Sequence, residues 1–218
     1  SHAIRIPKSC KIITSEYIFE DAPFKQCHAS TIIELKDGSM IAAWFGGSHE
    51  SNKDVEIWVS DKKDGSWTAP RSVANGIIND SLRYACWNPV LFLTKDGISL
   101  YYKVGPNPRE WWGMVIHSND EGKSWSAPEK LRNGILGPIK NKPVTLASGV
   151  ILSPSSIETK TEEWRAHIER STDGGKSWEK IAIDPQNPAR VIQPTLLLHP
   201  HNQIQALLRS DQSLIMES

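Results

Sequence analysis

The sequence has little that marks a membrane protein or a nucleic-acid-binding protein. No apolar run approaches the ~20 residues of a membrane span, and no apolar core of a signal peptide is present. Lys and Arg total 25, as do Asp and Glu, so the formal net charge is zero and favours neither nucleic acid nor an anionic membrane surface as a partner. Helical periodicity is not sustained anywhere, which favours an all-β fold.

Cysteine is also scarce. Cys10, Cys27 and Cys86 have neither the spacing of a metal site nor the even number of a disulfide framework. We expect them to be small buried hydrophobic residues, although a bridge between Cys10 and Cys27 remains open. The histidines show no ligand spacing that places them on a shared face, so we expect no metal and no cofactor.

The chain does contain a repeated octapeptide. It reads SNDEGKSW at 118–125 and STDGGKSW at 171–178, and a diverged copy, SDKKDGSW, lies at 60–67. In this pattern the Asp accepts hydrogen bonds from nearby backbone N–H groups, Gly takes a positive φ, and Trp packs between sheets. Repeats at intervals of 58 and 53 residues indicate a propeller, a solenoid or an array.

Each octapeptide ends a longer unit of three apolar strands, in which a tight turn and a polar loop join the strands. The units lie near 28–67, 86–125, 139–178 and 192–218. Turns such as Asp37-Gly38 and Asp96-Gly97 favour antiparallel hairpins. The sequence therefore predicts that residues 1–218 form a single all-β propeller domain. Because the fourth unit stops before its octapeptide, we expect an N-terminal portion of a longer propeller, with residues 11–19 as a strand that closes the ring.

A propeller brings distant positions together on one face. The innermost strands start on the face that also carries the loops between second and third strands, and the octapeptides lie on the opposite face. The predicted catalytic residues are Glu50, Asp54 and His28, and the predicted substrate-binding residues are Arg209, Lys142, Lys140, Lys103, Asn88, Gln193, Trp87, Trp111 and Trp112.

The charges of this face predict an anionic ligand. Five cations map to it, namely Lys103, Lys140, Lys142, Arg165 and Arg209. Facing cations repel unless an anion separates them, so a carboxylated or sulfated sugar fits, with the three tryptophans as a stacking wall.

The acids of this face predict cleavage of a glycosidic bond, which needs a proton donor and a second stabilising group. Glu50 and Asp54 share one loop and are the best candidates for general acid and base; Asp54 capping its own loop is the alternative. Glu158 and Glu217 are weaker candidates. His28 opens an innermost strand, and histidine titrates near neutral pH, which suits proton transfer.

The octapeptide is the Asp box, also called the BNR repeat, and with it the chain resembles the sialidase-type propellers. Five further stretches are similar to bacterial predicted neuraminidases: CHAST at 27–31, AWFGG at 43–47, CWNPV at 86–90, WWGM at 111–114 and GPIKNKP at 137–143. The resemblance implies a six-bladed propeller when complete, of which this chain covers about four blades. It also implies an exo-sialidase-like hydrolase that acts on a terminal acidic sugar of an oligosaccharide or glycoconjugate.

The chain departs from that pattern in places. Sialidases hold the substrate carboxylate with three arginines, use an Asp as acid/base and a Glu-activated Tyr as nucleophile. Arg209 matches the second arginine, but His28 stands at the place of the first, and Gln193 stands where the Glu is expected. A uronide-specific glycosidase, a propeller polysaccharide lyase and a non-catalytic glycan-binding propeller therefore stay open. Glycan chemistry suggests a secreted or periplasmic protein.

Overall fold

A computed structural model describes residues 11–159, 161, 163–183 and 189–218. Strands dominate these residues, and the one helix among them is a short 3-10 turn at Pro200–Asn202. No helix in this part of the chain has the length and apolar character needed to cross a membrane. The strands form four antiparallel sheets that are the blades of a propeller and one separate two-stranded hairpin, so the predicted all-β propeller fold is confirmed.

The first two blades correspond to the first two predicted units. The first blade comprises β1 (Gln26–Glu34), β2 (Met40–Gly47), β3 (Glu56–Lys63), β4 (Ser66–Trp67) and β5 (Arg71–Ala74). A small hairpin of β6 (Ile77–Asn79) and β7 (Leu82–Arg83) follows. The second blade comprises β8 (Ala85–Thr94), β9 (Gly97–Gly105), β10 (Trp112–Ser118) and β11 (Glu129–Lys130). Within the blades, strands that are neighbours in sequence pair with each other, as expected for hairpins joined by tight turns, except that β5 pairs with β3.

The third and fourth blades repeat this order. The third comprises β12 (Val144–Thr145), β13 (Ile151–Glu158), β14 (Trp164–Ser171) and β15 (Glu179–Ala182). The fourth comprises β16 (Val191–His199), β17 (Gln203–Ser210) and β18 (Ile215–Glu217). The first strand of each blade lies innermost, so the starts of these strands approach one another at the centre.

The expectation that residues 11–19 form a strand that closes the ring stays a prediction, because the partner of that strand was expected outside this chain. These residues form no strand, since they pair with no strand edge in the described part of the chain. Phe19 instead packs on the rings of Phe24 and Trp44, with centroids 5.4 and 5.1 Å away.

The Asp boxes form the turns that their residue types predict. In the second unit Asp120 Oδ1 accepts from Ser118 Oγ at 2.7 Å and from Ser124 N at 2.9 Å, while Oδ2 accepts from Ser124 Oγ at 2.5 Å. Gly122 has φ +84°, a left-handed conformation that favours glycine. These hydrogen bonds, chiefly that from the Ser124 hydroxyl, lower the pKa of Asp120 to about 2.

Each well-formed box also contacts the preceding blade. A Cβ added to Gly122 would lie 2.6 Å from Ile41 Cδ1 of the first blade, and Arg71 donates to the Gly122 carbonyl at 2.6 Å. In the third unit Trp178 is buried edge-on against Tyr101 of the second blade, with ring centroids 6.3 Å apart. The boxes therefore fasten consecutive blades together on the face opposite to the predicted site.

The apolar core is divided into three clusters that lie between consecutive blades. Representative members are Ile41, Phe45, Leu91 and Tyr102 between the first and second blades, Tyr101, Ile135 and Trp178 between the second and third, and Leu152, Leu196 and Leu208 between the third and fourth. Because every inner blade is covered on both sides, its second strand is buried on both faces.

The cysteine expectation holds in part. Cys86 is buried in the first cluster, where burial raises the pKa of its thiol. Cys27 is exposed, so the expectation that it is buried is wrong. Cys10, and with it the question of a bridge to Cys27, lies outside the described residues.

The box carboxylates predict a specific response to acid. An Asp whose pKa is lowered on folding stabilises the protein fully above its ordinary pKa, about 3.9, and loses that contribution as the pH falls through the lowered value. We expect Asp120→Asn to lower the melting temperature at pH 7 by several degrees. The difference from the unsubstituted protein should shrink between about pH 4 and pH 2.

Thermal unfolding followed by circular dichroism checks this. Asp96→Asn is the matched control, because Asp96 also precedes a turn glycine but is highly exposed. An equal loss of stability in the control, or a loss in Asp120→Asn that does not change with pH, contradicts the account.

Candidate functional site

Three of the four innermost strands carry a β-bulge at the same place. The bulges span residues 28–31 in β1, 87–90 in β8 and 192–195 in β16. Each contains a non-glycine residue with positive φ: Ala29 (53°), Asn88 (35°) and Gln193 (53°). Such conformations are unfavourable for side-chain-bearing residues, and bulges re-aim the side chains around them. The bulges therefore mark one end of the central axis as the strained end, where the site was predicted.

Lys142 lies in the connection just before the third blade and reaches across the centre to the first blade. Its Nζ donates to Thr31 Oγ1 at 3.1 Å, and the same oxygen accepts from the backbone N–H of Leu91 in the second blade at 3.3 Å. Partial desolvation of the ammonium lowers the pKa of Lys142, although the residue as a whole is exposed. The first two blades and this connection thus meet at one hydroxyl, and two of the three ammonium donors are left for a ligand.

Asn141 links the third blade to the fourth. Its Nδ2 donates to the backbone carbonyls of Gln193 at 3.2 Å and Pro194 at 3.0 Å. The backbone N–H of Gln193 in turn donates to Ser156 Oγ of the third blade at 3.2 Å. The bulge that carries Gln193 is therefore held at a fixed position relative to Lys142.

Arg209 forms a second cationic point on this side of the molecule. It is exposed at the end of β17, with its guanidinium carbon 5.4 Å from the ring centroid of Trp164, a cation–π arrangement. Arg209 Nη1 donates to Gln193 Oε1 at 3.5 Å, so the bond is long. The Trp ring and the amide leave the forked guanidinium donors open to a planar anion.

Glu158 completes this group. It ends β13 and is the cross-strand partner of Trp164. Desolvation raises the pKa of Glu158, while Arg209 and Arg109 oppose the shift. A half-buried carboxyl with a raised pKa beside arginines can hold a proton nearer to neutral pH and release it during a reaction.

The loop between β2 and β3 holds the two acids predicted to be catalytic. The Asp54 carboxylate accepts from the Ser48 hydroxyl, and from the Ser48 N–H at 3.1 and 3.2 Å. These bonds, the hydroxyl first, lower the pKa of Asp54. This geometry corresponds to the loop-capping alternative for Asp54. Glu50 is exposed in the same loop, and its carboxylate has no bonded partner in the described ranges.

The chain's relatives agree with this architecture. A family model described as a BNR repeat-like domain matches residues 38–218, which is most of the chain. The chain belongs to the BNR repeat-like family. A curated sialidase of Bacteroides fragilis (strain YCH46) is 27% identical over 93 residues, which cover 34% of this chain and 17% of that protein.

Solved structures show the same fold for this BNR-repeat protein. A leech intramolecular trans-sialidase superposes with a TM-score of 0.72 at 14% identity, covering 94% of this chain and 51% of its own. The Trypanosoma rangeli sialidase gives 0.67 at 17% identity, covering 90% and 37%. A protein of unknown function from Dyadobacter fermentans gives 0.69 at 18% identity, covering 88% and 64%. The chain thus has the sialidase propeller fold and spans only part of the length of these relatives.

Lys103 of this BNR-repeat chain is not available to a ligand. The side chain is 0% exposed, and its Nζ donates to the carbonyl of Pro138. Burial lowers its pKa to about 7, with Glu169 opposing the shift. The prediction that Lys103 binds substrate is wrong because β9 is covered on both faces, and this side chain points between blades.

The three tryptophans predicted to form a stacking wall all pack against the first apolar cluster, Trp87 within it and Trp111 and Trp112 at its edge. Trp87 is 5% exposed and donates from Nε1 to the Gly105 carbonyl at 2.9 Å. Trp111 packs edge-on against it, with centroids 5.9 Å apart. Trp112 contacts the Tyr84 ring at 5.6 Å and lies under the Lys130 ammonium at 5.0 Å. Trp87 therefore has little surface left for a sugar, whereas Trp111 and Trp112 are only partly buried and their stacking role stays a prediction.

The remaining predicted residues are exposed or half-buried. His28 is exposed, with its ring centroid 5.5 Å from that of Phe45. Lys140 is exposed two residues before Lys142, and Asn88 occupies the bulge of β8. Their roles stay proposals.

Two features of the site escaped the sequence reasoning. Thr31, the acceptor for Lys142, is buried within β1 and has no charge to attract notice. Trp164 stands seven residues before the serine of its Asp box, as Trp111 does in the second unit, so alignment of the units could have found it. The raised pKa of Glu158 depends on tertiary burial, and its charge alone does not predict it.

The Asp54–Ser48 contact gives a prediction for the loop. We expect Asp54→Asn and Ser48→Ala to speed hydrogen exchange of the loop amides at residues 48–55 to a similar extent, since each removes the same cap. Glu50→Gln is the matched control and should leave the exchange unchanged. Faster exchange in Glu50→Gln, or none in Ser48→Ala, contradicts the capping role.

Proposed function

We propose that this chain forms the anion-binding and proton-donating part of a glycoside hydrolase site that acts on a terminal acidic sugar. The placement of Arg209 over Trp164 and beside Gln193, with Glu158 in the same group, carries the proposal. The names of the relatives, which are sialidases and trans-sialidases, support the same class of reaction.

Arg209 and Lys142 hold the carboxylate of the sugar. The guanidinium offers two parallel donors that match a carboxylate, and the ammonium acts as a point charge with two donors to spare. The two side chains come from neighbouring blades whose relative position is fixed by the bonds of Asn141 to Gln193 and Pro194. His28 at the start of β1 supplies the third contact, where sialidases have an arginine.

Glu158 donates the proton to the leaving oxygen. Cleavage of a glycosidic bond needs an acid that is protonated near the working pH, and desolvation raises the pKa of Glu158 in that direction. Glu50 is the second carboxylate, exposed on a loop whose shape Asp54 maintains. Asp54 acts through that loop, as a positioning residue.

A non-catalytic glycan-binding propeller is the second candidate. Gln193 cannot activate a nucleophile as the expected Glu would, because an amide is not a base, and it contacts Arg209 instead. Asp54 is bonded to Ser48 with a lowered pKa, which makes it a poor acid. Both features are compatible with carboxylate binding without turnover.

Turnover of chromogenic sialosides and glucuronides separates the candidates. We expect Glu158→Gln to lower kcat at least about 100-fold with little change in KM, because the amide cannot donate the proton but has nearly the same size and shape as the carboxyl group. Arg209→Met should chiefly raise KM. Glu129→Gln, an exposed change on the outer strand β11, is the matched control.

The products decide the reaction class. Release of the intact sugar supports the hydrolase, whereas an unsaturated product that absorbs in the ultraviolet, formed by β-elimination from a 4-linked uronide oligosaccharide, would assign a lyase. Saturable binding with no turnover, unchanged in Glu158→Gln and Glu50→Gln, would overturn the hydrolase in favour of the binding propeller.

A further inference from the structure

The connection between the second and third blades delivers cations to the site. Residues 131–143 join β11 to β12 without regular secondary structure, and they carry Lys140, Asn141 and Lys142. Irregular segments are ordinarily the mobile parts of a fold, and a ligand that binds Lys142 needs its ammonium at a fixed place. Other parts of the protein must therefore fix the backbone of this connection by hydrogen bonds or packing.

Glu169 holds the middle of the connection from the third blade. Its Oε1 accepts from the backbone N–H of Leu136 and its Oε2 from that of Gly137, each at 2.8 Å. His167 Nε2 lies 3.1 Å from Oε1 and orients the carboxylate. One carboxylate thus fixes two successive peptide groups.

Lys103 holds the next residue from the second blade. Its Nζ donates to the carbonyl of Pro138. Two hydrogen bonds between uncharged groups flank this one. Ser155 Oγ donates to the Gly137 carbonyl at 2.8 Å, and the Ile139 N–H donates to the Pro154 carbonyl at 3.2 Å. The backbone of residues 136–139 is therefore bonded to both blades immediately before the site residues begin.

Stability alone does not account for this pair. Lys103 and Glu169 are both 0% exposed, and burying ionisable groups is unfavourable. Well-packed apolar residues in place of buried charges are often as stable or more stable. Apolar side chains cannot form hydrogen bonds with the peptide groups of residues 136–138. Those hydrogen bonds determine the position at which the connection delivers Lys142.

We propose that Lys103 and Glu169 are positioning residues for the anion site, which fix the backbone of residues 136–138 and thereby place the Lys142 ammonium against Thr31. The proposal rests on the proposed function only for the identity of the ligand. The placement of Lys142 itself is testable without any ligand.

The test compares Lys103→Met and Glu169→Gln with Arg132→Met. Arg132 lies in the same connection, but its guanidinium donates to the Trp178 carbonyl in the Asp box, at the opposite face. The Lys142 ammonium is followed by NMR in the ligand-free protein, with its signal assigned by its loss in Lys142→Arg. Melting temperature, and affinity for free sialic acid and for glucuronic acid, are measured on the same samples.

We expect the signal of Lys142 to shift, and its pKa to rise toward the ordinary lysine value, in Lys103→Met and Glu169→Gln but not in Arg132→Met. Affinity for the acidic sugar should fall at least about tenfold, because a charge-assisted contact is lost. Lys103→Met should retain the fold, so that affinity and stability change separately. If Lys103 and Glu169 only stabilised the fold, a loss of affinity without a matching loss of stability would not be expected.

An unchanged Lys142 signal in both folded variants would overturn the proposal. If Lys103→Met and Glu169→Gln do not fold, Ser155→Ala, which removes only the bond to the Gly137 carbonyl, should give a smaller shift of the same kind, and no shift would overturn the proposal. If Lys142 moves but even the unsubstituted protein binds no acidic sugar, the positioning role stands and the proposed function fails.

Discussion

Blade-to-blade docking through the Asp-box turns is the contact on which the rest of this structure depends. A blade of three or four strands cannot bury both of its faces alone, and here each apolar cluster lies between two consecutive blades. The boxes that contain Gly122 and Trp178 hold consecutive blades together on one face of the propeller. When the blades are held in this way, their innermost strands meet at the central axis, and side chains about 50 residues apart in sequence become neighbours.

The opposite face contains three strained bulges and two buried ionisable side chains. The bulges at Ala29, Asn88 and Gln193 share a left-handed conformation, and Lys103 and Glu169 are buried beside the connection that delivers Lys142. Unfavourable conformations and buried charges persist only where surrounding structure maintains them, and they concentrate at functional sites. The Asp-box face therefore contributes to stability, and the opposite face is the one for which we propose binding.

The sequence predicts the architecture well because the repeated residues form turns through contacts with residues close to them in sequence. Turn glycines and the box aspartates such as Asp120 bond within a few positions of themselves, so their pattern shows where each blade ends. Arg209 was predicted because it matches a family position, and its binding role stays a proposal. Lys103 and Trp87 were misassigned because strand alternation does not reveal the environment of a strand that is covered on both faces.

The chemistry of the site is less accessible to sequence because it depends on which groups are desolvated. Asp54 and Glu158 are both acids near the predicted face, yet a serine hydroxyl lowers the pKa of the first and burial raises that of the second. The partner of Lys142 is Thr31, 111 residues away in sequence. No local pattern contains that pairing, and only the folded propeller brings the two residues together.

The central claim is that this face recognises a sugar by its carboxylate, and calorimetric titration with free sialic acid and its methyl ester tests it most directly. Esterification removes the charge and leaves the rest of the sugar in place. We predict saturable binding of the acid and binding of the ester that is at least about tenfold weaker, with most of this difference lost in Arg209→Met. Equal affinity for the acid and the ester, or no binding of either, would contradict the account.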